Sequence, residues 1–285
     1  MLKFHEQVAG EAQYYEKILI GRRRQGGFYN AEAEWDRRAE QYDASQKCKN
    51  SQITGMVTAF LKNKGLLSGS VLDVGGGTGH YAIPFAHFAK EVVITDISTK
   101  MMERAEKNAE SKGLNSIQCK KLDWENADLD ALGWKKKFDF VFSSMSPAIR
   151  NLSGLSNMVE ASRGWCCINQ FIVRKDTISQ KLSDILENNR PQDPHNDRNL
   201  ALAFFHLLWM CGFEPEISYF RDEESLSLTI DQAFIRYAGR YGVRMQERNL
   251  DLREILAGLT KDGKITAHNQ STLAVICWNV SRWEE

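Results

Sequence analysis

The stretch SGSVLDVGGGTGHYAIPFA occupies residues 68–86, and it decides the fold. A short apolar run at 71–74 is followed by four glycines within the five positions 75–79. Holding a glycine in one conformation costs more entropy than holding any other residue, and one or two glycines are enough for a tight turn. A cluster this dense between a strand and a helix therefore indicates a ligand that lies directly against the backbone.

Strands and helices alternate on both sides of this glycine loop. Apolar runs predict strands at 71–74, 91–96, 117–122, 138–142 and 165–171. Helical spacing of apolar residues predicts helices at 51–65, 79–89, 99–112 and around 152–159. This alternation predicts an α/β fold with a doubly wound, mostly parallel, seven-stranded sheet and helices on both faces. The near-continuous apolar runs at 92–94 and 140–142 are typical of strands buried on both sides.

The second half of the chain is less regular. It predicts a helix and loop over 176–198, an apolar helix over 199–211, and strands at 216–220 and 271–278. We expect an N-terminal helical lid over 1–50, a core over 51–220, a helical insertion over 221–264, and the last strand of the core within 265–285. The acceptor of any reaction should contact the segments 1–50, 176–198 and 221–264.

Composition argues against several classes of protein. The 37 basic and 37 acidic residues give a net charge of zero, so neither nucleic acid nor a membrane surface is an expected partner. The six cysteines form no C-x-x-C pair, which favours reduced thiols over a metal site. No apolar stretch has the form of a signal peptide or a membrane span, and we expect a cytoplasmic protein.

Two kinds of nucleotide ligand fit the glycine loop. The segment Gly77-Thr78-Gly79-His80-Tyr81-Ala82 matches the loose G-x-G-x-x-A pattern of dinucleotide sites, so a nicotinamide-dependent oxidoreductase is one alternative. The pattern Asp73-x-Gly75-x-Gly77-x-Gly79 fits better, because it places an acid ahead of the loop. That acid suits a ligand ammonium group, and the N–H groups of the loop suit a ligand carboxylate.

The second pattern resembles the first motif of class I S-adenosylmethionine-dependent methyltransferases, and the similarity extends from about residue 33 to residue 171. In that family the glycine loop holds the methionine end of the cofactor. The acid that ends the second strand, here Asp96, binds the ribose hydroxyls, and the acid after the third strand, here Asp123, binds the adenine amino group. The resemblance implies these cofactor-binding residues: Tyr42, Asp73, Gly75, Gly76, Gly77, Gly79, Asp96, Ile97, Met101, Asp123, Trp124 and Ser143.

The resemblance implies methyl transfer by in-line displacement, for which the protein mainly aligns the acceptor and excludes water. No residue stands out as a general base; His80 beside the glycine loop and His195 in a polar loop are the candidates. The sequence Ser144-Met145-Ser146-Pro147 departs from the Asn/Asp-Pro-Pro-aromatic motif of nucleic-acid amino-methyltransferases, which favours a small-molecule acceptor. A methyltransferase-like protein that binds without turnover is the other alternative.

Overall fold

A computed structural model describes residues 9–21, 31–47, 52–186 and 197–281. Seven strands form one sheet, and their bounds are β1 Ser70–Val74, β2 Glu91–Asp96, β3 Ile117–Lys121, β4 Phe138–Ser144, β5 Ser162–Asp176, β6 Glu216–Leu228 and β7 Ile265–Asn279. The helices before and between the first five strands are α1 Ala9–Ile20, α2 Ala31–Lys47, α3 Ile53–Asn63, α4 Ala82–Phe85, α5 Thr99–Glu110 and α6 Leu152–Ala161. The later helices are α7 Thr177–Ile185, α8 Arg198–Met210, α9 Ile230–Glu247 and α10 Leu252–Gly258.

The strand order is β3-β2-β1-β4-β5-β7-β6. Strands β1 to β5 run parallel to their neighbours, while β7 runs antiparallel to both β5 and β6. This arrangement confirms the predicted doubly wound, mostly parallel sheet of seven strands. Because the chain order reverses between β1 and β4, the carboxyl ends of these strands leave a crevice where such folds bind ligands.

Apolar residues fill both faces of the sheet. Successive strand residues point to opposite faces, so Val71 packs in the cluster beneath α3, α4 and α5, and Leu72 packs in the cluster beneath α6 and α8. A third cluster lies between the far ends of β6 and β7 and the helices α7, α9 and α10. No helix among the described residues is long and apolar enough to span a membrane.

Several elements differ in length from the sequence-based expectation. Strands β6 and β7 pair continuously from Glu216 opposite Cys277 to Leu228 opposite Ile265, so residues 221–228 belong to the sheet. The charged residues in that stretch obscured the strand, because an edge strand exposes one face to water. The helix after the glycine loop is a single turn, Ala82–Phe85, and is shorter than the predicted 79–89.

The N-terminal helices occupy two different places. Helix α2 packs against α5 and α9, and it forms one wall of the crevice. Helix α1 packs against α8 instead, and none of its residues lines the crevice. Only α2, among the described residues of the predicted lid segment, therefore reaches the expected ligand site.

Candidate active site

The crevice at the carboxyl ends of the strands is a cavity of about 1200 Å³. It begins at the glycine loop between β1 and α4 and continues to the far ends of β5, β6 and β7. Of the predicted cofactor-binding residues, the following line it: Tyr42, Asp73, Gly75, Gly76, Gly77, Asp96, Ile97, Met101, Asp123 and Trp124. A pocket for one drug-sized ligand measures roughly 300–1,000 Å³, so this cavity is larger than a single such ligand needs.

The glycine loop has no room for side chains at its first two positions. Gly75 has a φ of +63°, and a Cβ atom there would stand 2.0 Å from the Ser146 hydroxyl oxygen. A Cβ atom at Gly76 would stand 2.6 Å from Asp73 Oδ2 and 2.8 Å from the side chain of Ile94. These positions therefore require glycine, and the loop presents bare backbone to the cavity.

Asp73 lies beneath this loop at the end of β1. Asp73 is only 1% exposed, and its Oδ1 atom has no hydrogen-bond partner. Burial, together with the nearby charge of Asp96, raises the pKa of Asp73 to about 7. A buried carboxyl oxygen without a partner is costly, and a ligand ammonium group is the natural group to satisfy it.

Asp96 ends β2 and ties the glycine loop to the start of α5. Its two oxygens accept hydrogen bonds from the backbone N–H groups of Gly77, at 3.2 Å, and Ser98, at 2.9 Å. Burial raises the pKa of Asp96 to about 6, although these backbone hydrogen bonds oppose the shift. Each carboxylate oxygen has a second lone pair, so Asp96 is able to accept two further hydrogen bonds from a pair of hydroxyl groups.

The part of the cavity wall that follows Asp96 contains both apolar and polar side chains. Met101 is 2% exposed and its sulfur lies 3.9 Å from the ideal Cβ position of Gly77. Trp124 is also almost completely buried, and its indole N–H donates to the Gly154 carbonyl at 2.9 Å. Asp123 is exposed and accepts a hydrogen bond from the Asn126 amide at 2.8 Å.

Helix α2 closes the cavity opposite the glycine loop. The ring of Tyr42 approaches the ideal Cβ position of Gly77 at 3.7 Å, and its edge meets the Trp35 ring at 6.2 Å between centroids. Burial raises the pKa of the Tyr42 hydroxyl, so this side chain stays neutral over the physiological range. The glycine loop is thus flanked by an aromatic ring and a thioether.

Some predicted site residues lie elsewhere. Ser143 is fully buried, and its hydroxyl donates to the Val74 carbonyl at 2.9 Å, while its neighbour Ser144 lines the cavity. The Gly79 N–H donates to the Gly76 carbonyl within the loop, and Gly79 does not line the cavity. His80 lines the cavity with its Nε2 atom 2.7 Å from the Thr54 hydroxyl, and His195 lies outside the described residues.

A set of polar residues that was not predicted from the sequence lies at the far end of the cavity, and we call it the polar window. It is made of Arg174 and Asp176 on β5, Asn269 and Ser271 on β7, and Asp222 and Glu224 on β6. The signal was the alternation in β6, because the face of the strand that carries buried Leu226 and Leu228 carries Asp222 and Glu224 directly before them. Such a change from apolar to polar on one face of a strand indicates a ligand surface.

Residues 71–162 match the family model described as a methyltransferase domain. The matched residues include β1 to β4, the glycine loop, Asp73 and Asp96. This chain is therefore similar to methyltransferases over the part that carries the glycine loop and both acids. Its fold is shared with the crystal structure of the YcgJ protein of Bacillus subtilis, at a TM-score of 0.50 and 15% identity, over 78% of this chain and 98% of that one.

Curated relatives match parts of this chain. A 23S rRNA (uracil(1939)-C(5))-methyltransferase of Vibrio parahaemolyticus is 35% identical over 92 residues, which are 32% of this chain and 20% of that protein. A tRNA 5-carboxymethoxyuridine methyltransferase of Escherichia coli is 44% identical over 57 residues, or 19% of this chain and 22% of that one. The chain thus spans about a fifth of the length of these relatives. The uncharacterized methyltransferase YcgJ is 21% identical over 168 residues, 56% of this chain and 61% of the relative.

The residues that line the cavity around the glycine loop fit S-adenosylmethionine. The orphaned Asp73 oxygen, the side-chain-free loop at Gly75 and Gly76, and the second lone pairs of Asp96 match an ammonium group, a carboxylate and two ribose hydroxyls. Ile97 and Met101 line the same cavity as Asp96 and would offer apolar contacts to a flat base. Among the described residues, no group of three His, Cys, Asp or Glu side chains is arranged to hold a metal ion.

Proposed function

We propose that this chain transfers a methyl group from S-adenosylmethionine to a small molecule bound in the same cavity. The observation that carries the proposal is the continuity of that cavity from Asp73 and Asp96 to the polar window. One end suits the cofactor, and the other end offers charged and polar groups for a second ligand. When bound, S-adenosylmethionine supplies an electrophilic methyl group.

In this proposal the chain contributes alignment and exclusion of water. Asp73 holds the ammonium group and Asp96 holds the ribose, which together fix the cofactor along the strand ends. Trp35 and Tyr42 on α2 cover the cavity and keep water out. His80 lines the cavity beside the glycine loop and would be the candidate general base if the acceptor had to lose a proton.

The charge of the cavity supports a small-molecule acceptor over RNA. Two of the relatives are named as rRNA and tRNA methyltransferases, so an RNA acceptor is the competing proposal. The cavity lining contains nine carboxylates against five Arg and Lys side chains. Such a lining repels a phosphate backbone, and the chain as a whole has no net positive charge to offset it.

The sheet topology weighs against the dinucleotide alternative. A dinucleotide-binding fold continues with further parallel strands that form a second mononucleotide-binding half. Here the strands beyond β5 are the antiparallel pair β7 and β6. We also propose a cytoplasmic location, which the five free cysteines among the described residues support.

Calorimetry and a transfer assay together test the proposal. The purified chain should bind S-adenosylhomocysteine and should not bind NADH. Methyl-labelled S-adenosylmethionine incubated with a fractionated metabolite extract should then yield S-adenosylhomocysteine and a labelled product of low molecular mass. Label transferred to added tRNA or rRNA would overturn the small-molecule proposal. Binding without any release of S-adenosylhomocysteine would favour the non-catalytic alternative.

A further inference from the structure

The polar window forms two transverse rows across three strands. In the first row Asp176 on β5 pairs with Asn269 on β7, which pairs with Glu224 on β6. In the second row Arg174 pairs with Ser271, which pairs with Asp222. Both rows face the cavity. Because lateral neighbours on one face of a sheet lie about 5 Å apart, each row is a continuous polar strip.

Apolar packing surrounds these rows on both sides along the strands. In β7 the inward residues Ile265 and Ala267 belong to the cluster beneath α9, and Leu273 begins the cluster beneath α3. Between Ala267 and Leu273, the inward-facing residues of β7 are the polar Asn269 and Ser271. An interruption at the same level of three strands is unnecessary for folding, since apolar residues there would join the two clusters.

Arg236 on α9 contacts the first row of the polar window. Its Nε atom lies 3.9 Å from Asp176 Oδ2, and its side chain is 13% exposed. In the amide orientation that satisfies both of its ends, Asn269 donates to Asp176 Oδ2 at 2.8 Å and accepts from Arg236 Nη2 at 3.1 Å. Asp176, Asn269 and Arg236 are therefore joined by direct contacts, and Glu224 lies beside Asn269 as its register partner on β6.

The carboxylate of Asp176 already accepts several hydrogen bonds from within the protein. Its Oδ1 atom accepts from the N–H groups of Ile178 and Ser179 at the start of α7, at 2.9 and 2.8 Å. Its two oxygens also lie 3.1 and 3.0 Å from the Tyr237 hydroxyl, which donates to them. This carboxylate holds α7 and α9 together and has little capacity left for a ligand.

Two charged atoms of the group lack partners. Arg236 Nη1 and Glu224 Oε1 are buried and make no hydrogen bond. Leaving a buried atom of a charged group without a hydrogen-bond partner is costly, and two such atoms at one end of a ligand cavity indicate an occupant that satisfies both. The occupant must offer an acceptor to the guanidinium and a donor to the carboxylate.

We propose that the polar window and Arg236 bind a methyl acceptor that is an amino acid-like zwitterion. Its carboxylate pairs with Arg236, and its protonated amine or a second N–H donor pairs with Glu224. The group carries two cations, Arg174 and Arg236, against three carboxylates, Asp176, Asp222 and Glu224. A dianionic phosphate would be repelled by this balance, while a zwitterion or a monocation is accepted. The inference rests on the proposed function, because it names the acceptor class of that same cavity.

Four probes of similar size test the inference by ligand-observed NMR titration of the protein saturated with S-adenosylhomocysteine. They are 4-aminobutyrate, which carries both groups, butyrate, butylamine, and 3-aminopropylphosphonate. We expect 4-aminobutyrate to bind about tenfold more tightly than either single-charge probe, the scale of one charged hydrogen bond. Equal binding of all probes, or tightest binding of the phosphonate, would overturn the inference.

Variants test which residue binds the carboxylate of 4-aminobutyrate and which binds its amine. Arg236→Met should raise the Kd of 4-aminobutyrate to that of butylamine, and Arg236→Lys should restore part of the loss. Glu224→Gln should raise it to that of butyrate. The matched controls are Arg240→Met on the exposed side of α9 and Glu223→Gln, because Glu223 is exposed and does not line the cavity. Unchanged affinities in both window variants would contradict the proposed pairing.

Calorimetry with S-adenosylhomocysteine separates the two possible failures. If every variant binds it with wild-type affinity while the probes show no discrimination, only the acceptor class is wrong. If the wild-type chain does not bind it, the proposed function fails and the acceptor inference fails with it. Thermal unfolding of each variant confirms that a lost probe signal does not reflect a lost fold.

Discussion

The Asp36 carboxylate on α2 accepts hydrogen bonds from the Ser98 hydroxyl at 2.6 Å and from the Lys100 backbone N–H at 3.0 Å. Ser98 itself caps α5, because its hydroxyl oxygen accepts from the Met101 N–H at 3.1 Å. These hydrogen bonds lower the pKa of Asp36, so the group is ionised near neutral pH. Helix α2 is therefore hydrogen-bonded to the chain two residues after Asp96, which is the residue predicted to bind the ribose.

Asp36→Ala should weaken S-adenosylhomocysteine binding about three- to tenfold. The substitution removes two hydrogen bonds to an ionised group, and α2 then holds Trp35 and Tyr42 less firmly over the cavity. Calorimetry measures the affinity, and hydrogen exchange should show faster exchange across residues 31–47. Glu40→Ala is the control, because Glu40 is largely exposed and only pairs with Arg104 on the outside of α2 and α5. Equal effects of both substitutions would contradict this account.

Gly76→Ala should reduce S-adenosylhomocysteine affinity by at least about tenfold and destabilise the fold by about 1–3 kcal/mol, the usual range for overpacking. The added methyl group would collide with the side chains of Asp73 and Ile94, both of which are buried. Calorimetry and chemical denaturation measure the two effects.

The matched control for that substitution is Gly258→Ala at the end of α10. A Cβ atom there meets nothing within 4 Å, and the residue does not have a positive φ. We expect an unchanged affinity and a stability within about 1 kcal/mol of the wild type. A Gly76→Ala protein that binds as tightly as the control would show that the loop does not need bare backbone.

The affinity for S-adenosylhomocysteine should rise with pH between about 5.5 and 7.5. Asp73 has its pKa raised to about 7, so below that pH its carboxyl group is protonated and cannot pair with an ammonium group. Binding near pH 6 should therefore release protons. Calorimetry in two buffers with different ionisation enthalpies measures this release directly. An affinity independent of pH would show that the ligand does not contact an ionised Asp73.

The same group should make the ligand-free protein less stable as pH rises. A folded-state pKa above the ordinary value means that the native chain keeps a proton that the unfolded chain loses between about pH 4 and 7. The free energy of unfolding should fall across this window and level off above it. Asp73→Asn should remove most of that slope, and the residual slope near pH 6 should come from Asp96. A slope unchanged in this variant would contradict the assignment.

The sequence predicted the half of the cavity that depends on local signals. An acid and a run of glycines after an apolar strand identify a loop that must approach a ligand, and parallel strands bring Asp73 and Asp96 to the same edge. Ser143 was misplaced because a strand turns alternate side chains to opposite faces. A shift of one residue exchanged the buried Ser143 for Ser144 at the cavity.

The half of the cavity that we propose for the acceptor depends on pairing between residues that are distant in the sequence. Glu224 and Asn269 become neighbours only because β6 and β7 form a long antiparallel pair. Their charged and polar neighbours in sequence resemble a solvated loop, and the helix that carries Arg236 packs over them from the intervening segment. No local pattern records such a contact, although the alternation of buried and polar residues along β6 indicates which side chains face inward.

Asp96→Ala should weaken S-adenosylhomocysteine binding by about 1–3 kcal/mol, and Asp123→Ala should weaken it by less. Asp96 is held in place by the Gly77 and Ser98 N–H groups and lies within the cavity wall, so it would bind the ribose hydroxyls without loss of side-chain freedom. Asp123 is exposed, and water competes with the adenine amino group for its oxygens. Because Asp96 also supports the glycine loop, Asp96→Asn is measured beside it; it should lose less affinity because one oxygen remains to accept. The reverse order, with Asp123 more important than Asp96, would contradict the predicted placement of the cofactor.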